Sequence, residues 1–162
     1  MSSLPTVATF KIVSGGQTGA DRGALLAALQ AGLACGGWCP DGRLAEDGRV
    51  PDELPLTELP GASYAERTRQ NVIDSDGTVI FYRPPLAGGS LLTKQTAAAL
   101  GRPLLLLDAS GTSCADAAER LAAFVRRNKI ATLNVAGPRA SDWPEAQAWV
   151  QSTVSQALSR LL

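Results

Sequence analysis

Strand-like and helical patterns alternate along most of this chain, and that alternation restricts the folds it can adopt. Short apolar stretches typical of strands cover residues 9–14, 78–82, 104–107 and 132–135. Patterns typical of helices cover residues 21–31, 63–74, 88–100, 114–127 and 143–162. Strands separated by helices pair in parallel, so we predict an α/β, Rossmann-like parallel sheet flanked by helices, in a single domain over residues 1–162.

Residues 33–62 break this alternation. They contain many Gly and Pro residues together with charged pairs, and predict a long irregular loop insertion with a short strand around 37–39. A loop of this length in a compact domain is usually functional. Ser63 and Glu66 then predict a capping box at the start of the next helix. Gly32 and Gly101 are expected to end the helices that precede them.

Composition argues against several classes of function. The 162 residues contain 15 Lys and Arg and 15 Asp and Glu, so no basic excess attracts the chain to nucleic acid or to an anionic membrane. The sequence has no histidine, which excludes Ser-His-Asp and Cys-His catalysis and His-ligated metals. No apolar run is long enough to span a membrane, and the first nine residues lack the features of a leader, so we expect a cytoplasmic protein.

The three cysteines, Cys35, Cys39 and Cys114, do not form two pairs with zinc-ligand spacing. Packing as small hydrophobic residues is the simpler interpretation, and no metal site is predicted from them. A redox or ligand role for Cys35 and Cys39, which flank Trp38, stays open.

Ligands of open α/β sheets bind beyond the carboxyl ends of the strands, and we expect the segments leaving the four predicted strands to meet at one edge. Two of these segments are Gly-rich loops that open helices. The start of a helix has unpaired N–H groups and partial positive charge, and glycine lets an anion come close. We therefore predict phosphate binding by these candidates: Ser14, Gly15, Gly16, Gln17, Thr18 and Gly19 in the first loop, and Gly88, Gly89, Ser90 and Thr93 in the second.

Arg139 follows the last strand within Gly137–Pro138–Arg139, where its guanidinium could bind a phosphate or simply be exposed. Asp21 and Arg22 lie in the first turn of a helix and either contact a ligand or, for Asp21, stabilise the helix start.

Arg67 and Asn71 are four residues apart on one helical face, which is either solvated or directed at the ligand. Trp38, with Arg43, could stack on a planar ring system or pack locally. Neither Gly-rich loop has the spacing of a dinucleotide or P-loop motif. No spaced pair of carboxylates indicates acid–base catalysis, so the residues favour binding over turnover.

Several motifs occur in a familiar order: Ser14–Asp21, Gly36–Pro40, Ala45–Gly48, Tyr64 with Arg67-Thr68, Asn71-Val72, Asp74–Thr78, Gly88–Ser90 with Leu92-Thr93, and Leu133–Arg139. Together they resemble the molybdenum cofactor carrier family over about residues 11–162. This family is a branch of the SLOG superfamily and is related to YpsA-like proteins and to the Lonely Guy phosphoribohydrolases.

The resemblance implies a homo-oligomer, a dimer or tetramer, that binds molybdenum cofactor, a phosphorylated pterin carrying dithiolene-bound molybdenum. It also implies that molybdoenzymes receive the cofactor and that Asn134 belongs to the ligand site. The apolar end of the last helix, with Leu158, Leu161 and Leu162, is a candidate interface.

The Lonely Guy enzymes carry a Gly-Gly-x-Gly-Thr-x-x-Glu motif that supplies a catalytic carboxylate. The comparable stretch here, Gly88–Thr96, lacks the third glycine, and Gln95 or Thr96 replaces the acid. We therefore expect a non-catalytic carrier of molybdenum cofactor. The alternatives are a nucleotide enzyme of the phosphoribohydrolase type that uses Asp21 or another carboxylate at this edge, and a sensor of a nucleotide-derived ligand.

Overall fold

The computed structural model describes residues 10–162. Its elements are, in chain order, β1 (Lys11–Val13), α1 (Ala20–Gln30), β2 (Ala34–Gly36), β3 (Trp38–Cys39), a 3₁₀ turn (Asp41–Arg43), β4 (Leu44–Ala45), β5 (Gly48–Arg49), β6 (Thr57–Glu58), α2 (Tyr64–Ile73), β7 (Gly77–Tyr82), α3 (Gly88–Leu100), β8 (Leu104–Asp108), α4 (Cys114–Asn128), β9 (Thr132–Ala136) and α5 (Ala146–Leu161).

Five strands form one parallel sheet in the order β2-β1-β9-β7-β8. Helices flank the sheet: α1, α4 and α5 pack together, and α2 pairs with α3. The predicted Rossmann-like α/β fold is confirmed. All five strands run in the same direction, so the segments that leave their carboxyl ends emerge along one edge of the sheet.

Strand β2 was not predicted and lies inside the stretch we interpreted as irregular. It has only three residues, Ala-Cys-Gly, without a β-branched side chain, so its sequence carries no strand pattern. It forms at the edge of the sheet because it pairs in parallel with β1, with Cys35 opposite Ile12.

The interpretation of residues 33–62 as an irregular loop was wrong beyond β2 as well, although the short strand predicted around 37–39 is present as β3. We call these residues the insertion: it contains two small two-stranded sheets, β3 with β6 and β4 with β5. It also has a small hydrophobic core, made by Cys39, Ala45, Val50, Leu54 and Leu56 packing with Leu25 of α1.

The buried guanidinium of Arg43 lies at the centre of the insertion. It donates hydrogen bonds to the carbonyls of Val50, Pro51, Leu54 and Leu56, at 2.7–3.2 Å. Arg43 therefore satisfies backbone groups that the irregular turns leave without partners, and it is not available to stack on a ligand ring.

Three predicted helix boundaries are confirmed: the start of α2 and the ends of α1 and α3. Ser63 and Glu66 form the capping box that begins α2. Gly32 and Gly101 have the left-handed backbone, φ 71° and 66°, that ends a helix. Helix α5 begins at Ala146 rather than at 143 because Pro144 disfavours helical geometry at the residue before it.

The apolar side of α5 packs inside the protein. Leu158 is buried in the main core and Leu161 packs against it, while Leu162 is exposed. Leu158 is therefore unavailable as an interface residue, contrary to the prediction. Within the described residues, no helix is long and apolar enough to cross a membrane.

Candidate functional site

A cleft of about 890 Å³ opens at the carboxyl edge of the sheet. Its walls come from the loops after β1, β7, β8 and β9 and from the first turns of α2 and α3. The cleft is large enough for a cofactor-sized ligand.

The structure brings together ten of the predicted site residues as lining of this cleft: Gln17, Asp21, Arg67, Gly88, Gly89, Ser90, Thr93, Gly137, Pro138 and Arg139. A niche of about 10 Å³, the size of one water molecule, shares Asp21, Arg67 and Thr93 with the cleft and adds Gly15, Asn71 and Asn134. The remaining predicted residues line neither space: Ser14, Gly16, Thr18, Gly19, Arg22 and Trp38.

The second Gly-rich loop presents the start of α3 to the cleft. The N–H groups of Gly88, Gly89 and Ser90 have no acceptor within residues 10–162, and the first hydrogen bond of this turn is Leu91 N–H to Ala87. A Cβ on Gly89 would have no neighbour within 4 Å, so space beside these donors is open. Unpaired N–H groups and the helix dipole make this end of α3 suited to an anion.

The first Gly-rich loop differs because the N–H groups of Gly16, Gln17 and Thr18 already have acceptors. Gln17 donates to the Asp21 carboxylate at 3.2 Å, and the Gly15 N–H acts to lower the pKa of the same group. Thr18 N–H donates to the Gln17 side-chain oxygen at 3.1 Å, and Gly16 N–H to the Ser14 hydroxyl at 3.4 Å. The loop thus binds a carboxylate of its own helix in the place where a phosphate was expected.

Asp21 and Arg67 form a buried pair at the floor of the cleft. Arg67 Nη1 lies 3.7 Å from Asp21 Oδ2, and their side chains are 12% and 8% exposed. The Arg67 Nε–H is buried without a partner in the described part of the chain. Burial raises the pKa of Asp21 above its ordinary value, against the lowering effects of Arg67, of the Gln17 and Gly15 N–H groups and of Arg22.

Three glycines of the predicted site serve chain packing instead of ligand approach. Gly16 has φ 75°, and a Cβ there would overlap Leu56 of the insertion. Gly19 has φ 83°, and its Cβ would overlap the carbonyl of Pro138. Gly15 leaves room for the Arg67 guanidinium, which a Cβ would displace. A bulky residue at Gly16 would therefore disturb the packing of the insertion.

Thr18 and Arg22 attach the insertion to the sheet. The Thr18 hydroxyl donates to Glu46 and accepts from Ala140 N–H at 3.0 Å. Arg22 binds Asp47 through two hydrogen bonds of 2.6 and 2.9 Å and donates to the Gly16 carbonyl at 3.0 Å. Neither side chain is free to bind a ligand in this arrangement.

Glu46 connects the insertion to the loop after β9. Its carboxylate accepts hydrogen bonds from the Ser141 hydroxyl and N–H and from Thr18, and these bonds hold its pKa below the ordinary value. Arg139, half exposed at the cleft, has its Nε 3.3 Å from Asp142 and 3.9 Å from Glu46. Its guanidinium is thus held at the rim by two carboxylates.

Trp38 and Asn71 hold β3 against α2. The Asn71 side chain accepts from Trp38 N–H at 2.8 Å and donates to the Trp38 carbonyl at 2.9 Å. The Trp38 indole N–H donates to Asp74 at 2.7 Å. The indole therefore points to the far end of α2 and does not line the cleft, contrary to the expectation that it stacks on a ligand.

Sequence reasoning missed two aromatic–arginine pairs in the cleft wall. The Arg83 guanidinium lies 5.3 Å from the centre of the Trp143 ring, and Arg67 lies 5.6 Å from the Tyr64 ring. Arg83 directly follows β7, and its position after a strand was the available signal. With Arg67, Arg83 and Arg139 facing Asp21 and Asp142, cationic side chains outnumber anionic ones in the lining.

Open parallel α/β sheets bind their ligands at the carboxyl edge, which is where this arginine-rich cleft lies. Residues 12–158 match the sequence model of the circularly permutated YpsA SLOG family, and this chain belongs to that family.

Among solved structures, the chain is similar to a "Putative molybdenum carrier protein" from Syntrophus aciditrophicus SB. The two are 44% identical, the match covers 94% of this chain and 96% of the other, and the TM-score is 0.89. No match was found among curated proteins.

Proposed function

We propose that this protein binds and carries molybdenum cofactor in the cleft at the carboxyl edge of the sheet, without turning it over. The observation that carries the proposal is the start of α3, where three N–H groups without acceptors in the described chain face a cleft lined by three arginines. The name of the similar protein from Syntrophus aciditrophicus supports this choice of cargo.

The terminal phosphate of the cofactor binds, in this proposal, to the N–H groups of Gly88, Gly89 and Ser90. Arg67 lies in the same cleft and has a guanidinium N–H without a partner in residues 10–162, so a phosphate oxygen would satisfy a buried donor. Phosphate at the first loop is not proposed, because Asp21 already accepts from its Gln17 N–H.

The pterin and its molybdenum occupy the rest of the cleft. Arg83, stacked on Trp143, and Arg139 at the rim provide donors for the polar edge of a pterin and for the oxygen atoms on molybdenum. The three cysteines do not line the cleft, so we assign none of them as a ligand of molybdenum.

The first test identifies the ligand. The purified protein is analysed by mass spectrometry and fluorescence for a bound pterin, and then titrated with molybdenum cofactor and with a panel of nucleoside monophosphates. Saturable cofactor binding that slows its oxidation supports the proposal. Binding of nucleotides alone contradicts it.

A matched pair of variants tests the position of the phosphate. Gly89→Asp adds a negative charge in open space at the first turn of α3, where an acidic residue stabilises a helix, so the fold is preserved. We expect at least a tenfold loss of affinity for cofactor in Gly89→Asp and little change in Gly89→Ala. Equal affinities in the two variants would rule out this phosphate position.

A second candidate function is hydrolysis of a nucleoside monophosphate with release of its base. Asp21 favours it, because a buried carboxyl with a raised pKa at the floor of an anion-binding cleft can transfer a proton. Base release that disappears in Asp21→Asn would establish this activity, whereas intact nucleotide after prolonged incubation excludes it for the substrates tested.

Delivery to molybdoenzymes and homo-oligomer formation are the remaining parts of the proposal. Transfer is measured as the recovery of activity of a cofactor-free molybdoenzyme mixed with the loaded protein.

The oligomeric state is measured by light scattering, and a monomer at all concentrations would contradict the dimer or tetramer.

A further inference from the structure

The first Gly-rich loop binds an internal anion. The Gln17 N–H donates to the Asp21 carboxylate at 3.2 Å, and the Arg67 guanidinium lies 3.7 Å from the same carboxylate. The Gly15 N–H also acts to lower the pKa of Asp21. Backbone N–H groups and a guanidinium are the partners that a phosphate would take in a loop of this kind. Asp21 reaches them from the first turn of α1.

We propose that Asp21 is a specificity-determining residue: it occupies the second anion position of the cleft and restricts the protein to ligands with a single terminal phosphate. This inference rests on the proposed function, because it takes the first phosphate position to be the start of α3. Arg67 and Asp21 line the same cleft as Gly88–Ser90, so a second phosphate directed at the first loop meets a filled position.

Two physical effects produce the discrimination. The Asp21 side chain is 8% exposed, so it fills space that a ligand would need. Its carboxylate also repels a second phosphate at short range in a poorly solvated site. The charged groups acting on Asp21 are Arg67 of α2 and Arg22 of its own helix, and Arg22 is itself bound to Asp47.

The test compares AMP with ADP as probes in the wild type, in Asp21→Asn and in Asp142→Asn. The Asp21→Asn substitution keeps the size of the side chain and removes its charge, and Asp142 is an exposed carboxylate at the rim of the same cleft. We expect wild type to bind AMP more tightly than ADP, and Asp21→Asn to shift the ratio of dissociation constants at least tenfold toward ADP. The Asp142→Asn variant should bind both ligands more tightly to a similar degree, so its ratio of dissociation constants should stay within twofold of the wild-type ratio.

An unchanged ratio in folded Asp21→Asn, with AMP still bound, overturns this inference and leaves the proposed phosphate position standing. If wild type binds neither probe, the inference fails, whereas the proposed function is decided separately by the titration with molybdenum cofactor. A second measurement needs no variant: amide NMR signals of wild type titrated with AMP. We expect shifts at Gly88–Ser90 and unmoved signals at Gly15 and Gln17; large shifts at Gly15 and Gln17 mean that the phosphate displaces Asp21, which refutes the proposal.

Discussion

Replacement of Arg43 by methionine tests how the insertion is held together. Methionine keeps much of the apolar stem and removes a guanidinium that donates to four carbonyls. A hydrogen bond from a charged donor contributes about 1.5–3 kcal/mol, but local opening hydrates some of the carbonyls left behind. We therefore expect a loss of about 3 kcal/mol, less than the sum of four bonds.

The assay is urea and thermal unfolding followed by circular dichroism. A loss of about 3 kcal/mol lowers the Tm of a chain of this size by roughly 6–12 °C. Amide hydrogen exchange at Val50 should rise, because its N–H donates to the Arg43 carbonyl within the same turn at 2.7 Å.

Arg49→Met is the matched control. Arg49 is 54% exposed on its side chain and pairs only with exposed Asp52 at 2.8 Å within the described residues. A surface ion pair of this kind contributes about 0–1 kcal/mol. If Arg43→Met costs no more than Arg49→Met, the buried hydrogen bonds of Arg43 do not hold the insertion, and the account of its folding is wrong.

Two further predictions concern the attachment of the insertion to the sheet. Gly16→Ala should destabilise the protein by about 1–3 kcal/mol, because the new Cβ overlaps Leu56 and the backbone is left-handed; unchanged unfolding would contradict this. Hydrogen bonds from Ser141 and Thr18 hold the pKa of Glu46 below its ordinary value. The ionised carboxylate therefore stabilises the folded state above the ordinary glutamate pKa, and this stabilisation is lost as pH falls toward the pKa of the folded state. Between about pH 6 and pH 3, the Tm of Glu46→Gln should therefore fall less than the Tm of the wild type. Curves of Tm against pH that run parallel in the two proteins would show that this carboxylate does not contribute to stability in this range.

The fold was predictable where sequence period and length were unambiguous. Strands β7, β8 and β9 and helices α1–α4 carry clear apolar patterns, and these indicated a parallel α/β sheet. Strand β2 was missed because three residues without β-branched side chains form a strand only when a neighbouring strand pairs with them. The insertion was misread because its order depends on Arg43, whose four acceptors lie 7 to 13 residues further along the chain.

The location of the candidate site followed from topology, since parallel strands end at one edge. The roles of individual glycines did not follow. Gly16 and Gly89 both lie in Gly-rich loops that open helices, yet one faces Leu56 and the other faces open space. Their roles differ because the folded insertion packs against Gly16 and not against Gly89. Trp38 was assigned to the cleft because a tryptophan in a long loop resembles a stacking residue, and its actual partner, Asp74, is 36 residues away.

The most direct measurement of the central claim is a crystal structure of the protein with bound molybdenum cofactor, in which anomalous scattering locates the molybdenum. We predict the phosphate at the N–H groups of Gly88, Gly89 and Ser90, with Asp21 still accepting from Gln17 and the pterin extending toward Arg83 and Trp143. A phosphate at the first loop with Asp21 displaced, or a cofactor outside the cleft, would contradict the account.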